Sequence, residues 1–171
     1  MLNKQEIKKL IEEKGLLSGY IDLDTQLTPN GFDLTCAQVY EFDAPGALDF
    51  SNKERKVPQG RLLLPKKAEA QDKHGWYDLP KGAYRIRTNE TCAIPLDLVA
   101  LAFPRSSLLR MGAFTENAVW DAGFKGKSEF ILVVENPFGL RLKENARITQ
   151  LVFVRANETL EGYQGIYQEG K

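Results

Sequence analysis

The sequence is poor in the residues that zinc and nucleophile chemistry require. Its 171 residues include one histidine, His74, and two cysteines, Cys36 and Cys92. A His/Cys/Cys zinc site would have to form without any ligand-spacing motif, so we set zinc hydrolysis and zinc deamination aside. A Ser-His-Asp or Cys-His nucleophile would have to be built on His74, and the chain has no Gly-x-Ser-x-Gly elbow. The chemistry is therefore expected to rest on other residues.

The sequence also lacks net charge and long apolar runs. Its 23 Lys and Arg balance 23 Asp and Glu, so the chain has no net positive charge to attract nucleic acid or an anionic membrane. A polyanionic ligand must therefore bind at a local site. No apolar run approaches the roughly 18 residues of a membrane span, and the polar N-terminus does not resemble a signal peptide. We expect a soluble cytoplasmic protein with reduced cysteines and a small partner, neither nucleic acid nor membrane.

The pattern that is present predicts one helix followed by many short strands. Asn3 and Glu6 have capping spacing and Gly15 can close the helix. Short β-branched or aromatic segments then alternate with turn residues, at 38–42, 61–64, 83–87, 98–103, 128–135, 140–142 and 147–154. Without helical crossovers between them, they favour a mainly β antiparallel sandwich or barrel. We expect one domain over 1–171, with residues 43–74 as an excursion that contains one short strand.

Two stretches in the first two thirds of the chain carry chemical groups. The stretch NGFDLT at 30–35 delivers Asp33 to an apolar segment, although it also fits an ordinary Asn-Gly turn with an exposed aspartate. The stretch RSSLLR at 105–110 brackets two hydroxyls and consecutive backbone amides with two guanidiniums, which suits a polyphosphate. It fits equally well a helix start capped by Ser106.

Two later stretches are also unusual. In NAVWDAGFKG at 117–126, Asp121 lies between Trp120 and an Ala-Gly turn, so we expect a partly desolvated carboxylate that can deprotonate a water, or else a turn cap. In RITQL at 147–151, the polar Gln150 interrupts an apolar run and must either pair within the core or face a ligand.

In this order, the four stretches together with YQGIYQ at 163–168 resemble the motifs of the dUTPase and dCTP deaminase superfamily. The resemblance covers nearly the whole chain and is strongest to the small archaeal-type dUTPase branch. It implies a distorted antiparallel β-barrel or jelly-roll, a homotrimer with active sites at subunit boundaries, and a deoxynucleoside triphosphate substrate. We refer to the five stretches below as motifs one to five.

The resemblance also implies roles for individual residues. Asp121 would activate the attacking water, and Asp33 would act near the water shell of a phosphate-bound Mg²⁺. A terminal segment near 160–171 would cover the phosphates. The substrate-binding residues implied are Arg105, Ser106, Ser107, Arg110 and Gln150 for the phosphates, Asn117, Ala118 and Val119 for the base, Phe124 for the sugar, and Tyr163 and Gln168 in the covering segment.

The resemblance favours dUTP hydrolysis to dUMP and pyrophosphate over dCTP deamination. The deaminases of the superfamily use a glutamate on the strand after motif three, and counting places it here at Ile131 or Val133, which cannot move a proton. A shifted register could still recruit Glu129 or Glu135, so a deaminase or a bifunctional enzyme stays open as an alternative. A non-catalytic nucleotide-binding trimer is a third alternative.

The chain departs from the dUTPase pattern at two positions, one implied to contact the sugar and one implied to cover the phosphates. Phe124 stands where these enzymes commonly have a tyrosine under the sugar, and motif five replaces their glycine-rich final motif. How the terminal segment closes over the γ-phosphate, and what the loop around His74 does, are left open by the sequence.

Overall fold

The chain begins with a capped helix, as the sequence predicts. The computed structural model describes residues 1–168, and its first element is α1 (Lys4–Lys14). The Asn3 side chain accepts from the Glu6 N–H, and the Glu6 carboxylate accepts from the Asn3 N–H, each at 3.0 Å. Gly15 ends the helix with φ 65°, a left-handed conformation that glycine adopts without steric conflict.

Short strands make up most of the remaining structure. Two short helices interrupt them, α2 (Leu23–Gln26) and α3 (Ser106–Arg110). The strands are β1 (Leu17–Ser18), β2 (Leu27–Thr28), β3 (Gly31–Glu41), β4 (Arg61–Leu62), β5 (Trp76–Leu79), β6 (Gly82–Ala93), β7 (Leu98–Pro104), β8 (Ala113–Glu116), β9 (Lys125–Val134), β10 (Leu140–Lys143) and β11 (Arg147–Arg155). The mainly β prediction is therefore confirmed.

One antiparallel sheet curls until its two edge strands meet. Its order is β7-β11-β3-β6-β9-β8, with β1 on β6 and with β2 and β4 on β3, while β10 and β5 form a separate ribbon. The edges come together where Ala100 of β7 bridges Trp120, just after β8, so the sheet is nearly a closed barrel. This closure places motif three against the strand that leads into motif two.

The core fills the inside of this barrel. Fully buried apolar side chains come from α1 and from most of the long strands, and Phe32, Phe153, Ile86 and Leu132 are among the largest. The excursion over residues 43–74 contributes only β4 and isolated bridges, as predicted. Among residues 1–168, no helix is both long enough and apolar enough to span a membrane.

Candidate active site

The aspartate of motif one is buried between two arginines. The Asp33 side chain is 3% exposed, and its Oδ2 lies 3.0 Å from Arg105 Nε and 3.3 Å from Arg147 Nη1. Burial raises the pKa of Asp33, and the two guanidiniums oppose that rise. The alternative interpretation of Asp33 as an exposed turn aspartate is wrong. We call Asp33, Arg105 and Arg147 the arginine cluster.

Strand pairing brings the arginine cluster together from three distant parts of the sequence. Residue Gln150 of β11 faces Asp33 of β3 on one side and Phe103 of β7 on the other. Motifs one, two and four therefore meet at one end of this three-stranded segment. Arg105 also donates to the Arg147 carbonyl at 3.2 Å, which ties motif two to motif four directly.

The other polar residues of motifs two and four lie around this cluster. Ser106 and Ser107 are exposed at the start of α3, and Arg110 at its end is exposed and forms no ion pair within residues 1–168. Arg105, not Ser106, occupies the cap position, and no side chain caps the helix, so the alternative that Ser106 is a cap is wrong. Gln150 is half-buried and donates to the Thr28 hydroxyl.

Motif three lines a cavity with a volume of about 730 Å³. Ala118, Val119, Asp121 and Phe124 all contribute to its wall. Trp120 is turned into the core, where its Nε1–H donates to the Ser128 hydroxyl at 2.7 Å. These residues follow β8, whereas Asp33 and Arg147 lie on β3 and β11 and Arg105 follows β7.

The carboxylate of Asp121 is exposed, contrary to the expected partial desolvation. Because Trp120 points inward, its neighbour along the extended chain points outward. Backbone atoms close the turn, since the Phe124 N–H donates to the Asp121 carbonyl at 3.1 Å, so the carboxylate does not act as a cap. Within residues 1–168 it makes no hydrogen bond or ion pair, which leaves it available to a water.

The C-terminal segment folds onto motif three of the same chain. The Tyr163 N–H donates to the Ala122 carbonyl at 2.8 Å, and the Tyr163 ring meets Phe124 edge-on with centroids 5.4 Å apart. The Gln168 side chain accepts from the Lys125 N–H at 3.0 Å and donates to the Gly123 carbonyl at 3.1 Å. The last part of the predicted covering segment, 169–171, lies outside the described residues.

Asn117 has an unsatisfied polar atom. Its Nδ2 donates to the Thr115 hydroxyl at 3.3 Å, and Thr115 in turn contacts the Thr149 hydroxyl at 3.2 Å. Its Oδ1 is buried without a hydrogen-bond partner among the described residues. A buried carbonyl oxygen without a donor is unfavourable, so this atom is suited to accept a hydrogen bond from a ligand.

Charged side chains that the sequence did not indicate as site residues also line the cavity. Glu129 of β9 lies opposite Arg87 of β6, and its carboxylate oxygens are 3.5 Å from Arg85 Nε and 3.8 Å from Arg87 Nε. The signal was the alternation of Arg85 and Arg87 along a predicted strand. Glu129, Ile131 and Val133 share one face of β9, whereas Glu135 lies beyond its end and pairs with Lys81 at 2.7 Å.

The described residues contain no cluster of three metal-ligating side chains. Within 1–168 no three His, Cys, Asp or Glu side chains are grouped so that they could hold an ion. Asp33 is already engaged by two cations, so a direct bond to a metal would compete with both ion pairs. Its role near the water shell of a metal stays a prediction.

The chain is similar in sequence to known proteins. A family model described as dCTP deaminase-like matches residues 1–156. The chain is 48% identical to a Methanosarcina mazei protein named probable deoxyuridine 5'-triphosphate nucleotidohydrolase, over 98% of this chain and 96% of that one. It is 34% identical to the deoxyuridine 5'-triphosphate nucleotidohydrolase of Methanocaldococcus jannaschii, over 85% of this chain and 88% of that one.

A solved structure supports the fold. The crystal structure of 2'-deoxycytidine 5'-triphosphate deaminase from Agrobacterium tumefaciens matches with a TM-score of 0.59 and 23% identity. The match covers 89% of this chain and 46% of that one, so this chain spans less than half the length of that protein.

Proposed function

The chain belongs to the dCTP deaminase-like family, and on this premise we propose that it is a dUTP diphosphatase that converts dUTP and water to dUMP and pyrophosphate. The observation that carries the proposal is the free carboxylate of Asp121 at the cavity that Phe124 also lines. On the neighbouring strand β9, Ile131 and Val133 stand in place of a proton-transferring glutamate. The relatives named as dUTP nucleotidohydrolases support the same activity.

The hydrolysis requires a water aimed at the α-phosphorus and neutralisation of the triphosphate charge. Asp121 is the general base that takes a proton from this water. Arg105, Ser106, Ser107 and Arg110 hold phosphate oxygens, with Gln150 beside them. Phe124 packs under the sugar, and residues 117–119 meet the base edge.

Magnesium enters as part of the substrate. Residues 1–168 contain no cluster of three His, Cys, Asp or Glu ligands, which favours an ion carried by the phosphates of dUTP rather than one resident in the protein. Such an ion neutralises phosphate charge. The catalytic step assigned to the protein is the proton transfer to Asp121.

We infer further that each active site combines two subunits of a homotrimer. Within residues 1–168 of one chain, Asp121 makes no hydrogen bond or ion pair to the arginine cluster, and it follows β8, whereas Asp33 and Arg147 lie on β3 and β11. Leu101 and Phe103 on the edge strand β7 are 37% and 54% exposed, which suits a subunit contact. The neighbouring subunit then supplies the phosphate-binding half.

Glu129 is the group that keeps dCTP deamination in view as a second candidate. It lines the same cavity as Asp121. Its carboxylate is paired with Arg85 and Arg87, so a water would have to compete with two guanidiniums for its oxygens. This pairing favours the hydrolase.

The role of Asp121 is tested by replacing it with asparagine. Because general-base catalysis contributes about 10²–10⁴-fold, Asp121→Asn is expected to lower pyrophosphate release by that factor. Asp78→Asn is the control, since Asp78 is also exposed and lies on the separate ribbon, where it pairs with Arg141 at 3.0 Å. Pyrophosphate release undiminished in Asp121→Asn would contradict the assignment of the base.

Shared sites are tested by mixing two inactive variants. Asp121→Asn and Arg105→Ala damage different halves, so trimers reassembled from both contain some sites that are intact in both halves. Recovery of activity on mixing is the expected result. A mixture that reassembles but stays inactive would contradict a site built from two subunits.

A further inference from the structure

A buried glutamate is linked by hydrogen bonds to the strand that carries Asp33 of the arginine cluster. Glu90 lies on β6 with none of its surface exposed, and no ion pair among residues 1–168 includes it. Both of its carboxylate oxygens accept hydrogen bonds. Oε2 accepts from the Thr35 N–H at 3.0 Å, and Oε1 accepts from the Thr35 hydroxyl at 2.6 Å and from Gln26 Nε2 at 2.7 Å. A buried carboxylate is costly unless it is hydrogen-bonded, and these three donors satisfy it.

Its donors hold the strand of motif one at Asp33 and at Thr35. Thr35 follows Asp33 on β3, and Gln26 Nε2 also donates to the Asp33 carbonyl at 2.9 Å. Glu90 thus fixes the backbone at Asp33 and Thr35 together. An amide in place of the carboxylate would turn its NH₂ group toward groups that are themselves donors.

The strand that carries Glu90 is irregular at this position. The pairing of β6 with β9 shifts register between Arg87 and Thr91. Thr88 occupies the gap by donating to the Glu90 carbonyl at 3.0 Å and by accepting from the Ser128 N–H at 3.2 Å. The irregularity is therefore hydrogen-bonded in place, which makes Glu90 a fixed anchor.

We propose that Glu90 is a positioning residue that sets the Asp33 carboxylate and, through it, the Arg105 guanidinium that holds substrate phosphate. The proposal rests on the proposed function for the role of Arg105. The chain of contacts runs from Glu90 to Thr35 and Gln26, then to Asp33, and then across 3.0 Å to Arg105. Glu90 itself touches no substrate.

The variant that tests this is Glu90→Gln, with Tyr84→Phe as the control. Tyr84 is a buried residue of the same strand whose hydroxyl donates to the Pro80 carbonyl at 2.8 Å, away from motif one. We expect Glu90→Gln to lower kcat/KM for dUTP about tenfold, mainly by raising KM, because coupled contacts of this kind change binding by such factors. Tyr84→Phe is expected to leave kcat/KM unchanged.

A double-mutant cycle separates positioning from general loss of structure. In an Arg105→Ala background the phosphate contact is already gone, so Glu90→Gln is expected to change kcat/KM by less than about twofold. An equal loss in both backgrounds, or an unchanged kcat/KM in folded Glu90→Gln, would overturn the proposal.

A nucleotide-free readout keeps the inference separate from the proposed function. The Nε–H proton of Arg105, which faces Asp33, is followed by NMR hydrogen exchange in the unliganded protein. Exchange is expected to be faster in Glu90→Gln than in the wild type and unchanged in Tyr84→Phe. Unchanged exchange in Glu90→Gln would refute the positioning role even if dUTP is hydrolysed. If Glu90→Gln does not fold, Thr35→Val, which removes one donor and keeps the shape, is measured in its place with the same expected result.

Discussion

Replacing Gly123 with alanine is expected to detach the C-terminal segment from the turn that carries Asp121. Gly123 has φ +80°, and a Cβ there would lie 2.6 Å from Gly162 Cα and 3.1 Å from Tyr163 N. Gly15 at the end of α1 has a similar φ of +65° but no atom within 4 Å of an added Cβ. Alanine at Gly15 therefore carries the same backbone strain without the collision, which makes Gly15→Ala the matched control.

The contacts at risk set the size of the effect. The segment is held by the Tyr163–Ala122 hydrogen bond at 2.8 Å, by the edge-on contact with Phe124, and by two hydrogen bonds of Gln168 at 3.0 and 3.1 Å. Each hydrogen bond contributes about 0.5–1.5 kcal/mol net, and the ring pair contributes a similar amount. The entropy lost on ordering the segment offsets part of this stabilisation. We therefore expect Gly123→Ala to lower the free energy of attachment of the segment by about 1–3 kcal/mol, which raises the detached fraction about 5–150-fold.

Chymotrypsin cleavage at Tyr163 and Tyr167, followed by mass spectrometry, measures the detached fraction when reattachment is fast relative to cleavage. Gly123→Ala is expected to be cleaved faster than both the wild type and Gly15→Ala. In urea, the free energy of unfolding should be about 1–2 kcal/mol lower in both variants than in the wild type, because each places an alanine in the left-handed conformation. Equal cleavage rates for Gly123→Ala and Gly15→Ala would refute the idea that close packing at Gly123 holds the segment.

Three other outcomes are expected. Asp33→Asn should lower the free energy of unfolding in urea by about 1–3 kcal/mol, since it leaves Arg105 and Arg147 unpaired but partly solvated; no change would contradict the ion pairs. Burial raises the pKa of Cys36 and of Cys92 to about 12, so neither thiol should react with a disulfide reagent at pH 8 before unfolding, and rapid labelling of the folded protein would contradict this. The raised pKa values also stabilise the folded protein below the ordinary thiol value of 9.0, and this contribution to the free energy of unfolding should decrease as the pH rises toward 12. Chelation of Mg²⁺ should stop dUTP turnover without changing the melting temperature of the unliganded protein, whereas a large drop in that temperature would indicate a resident metal.

The elements with strong local signals were predictable from the sequence. The helix α1 has its cap at Asn3, a reciprocal partner at Glu6 and a left-handed glycine at Gly15, so a few neighbouring residues determine both of its ends. The strand β8 was missed because its four residues have little pattern of their own and gain their pairing from β9. The strand β5 was missed for the same reason, since its partner β10 lies far along the chain.

The arrangement of the candidate site was not predictable from the sequence. Motif order singled out Asp33, Arg105 and Asp121 as candidates, but it did not indicate the burial of Asp33, because its partners Arg105 and Arg147 come from distant parts of the sequence. Asp121 was expected to be partly desolvated by Trp120, whereas the indole turns into the core toward Ser128. Such orientations depend on long-range packing, which the local pattern does not contain.

The most direct test of the account is the identity of the products formed from dUTP and from dCTP. The purified protein is incubated with each nucleotide and Mg²⁺, and the nucleotides, pyrophosphate and ammonia are quantified. We expect dUMP and pyrophosphate from dUTP, and no ammonia from dCTP. Release of ammonia from dCTP at an appreciable rate, or no pyrophosphate from dUTP, would contradict this expectation.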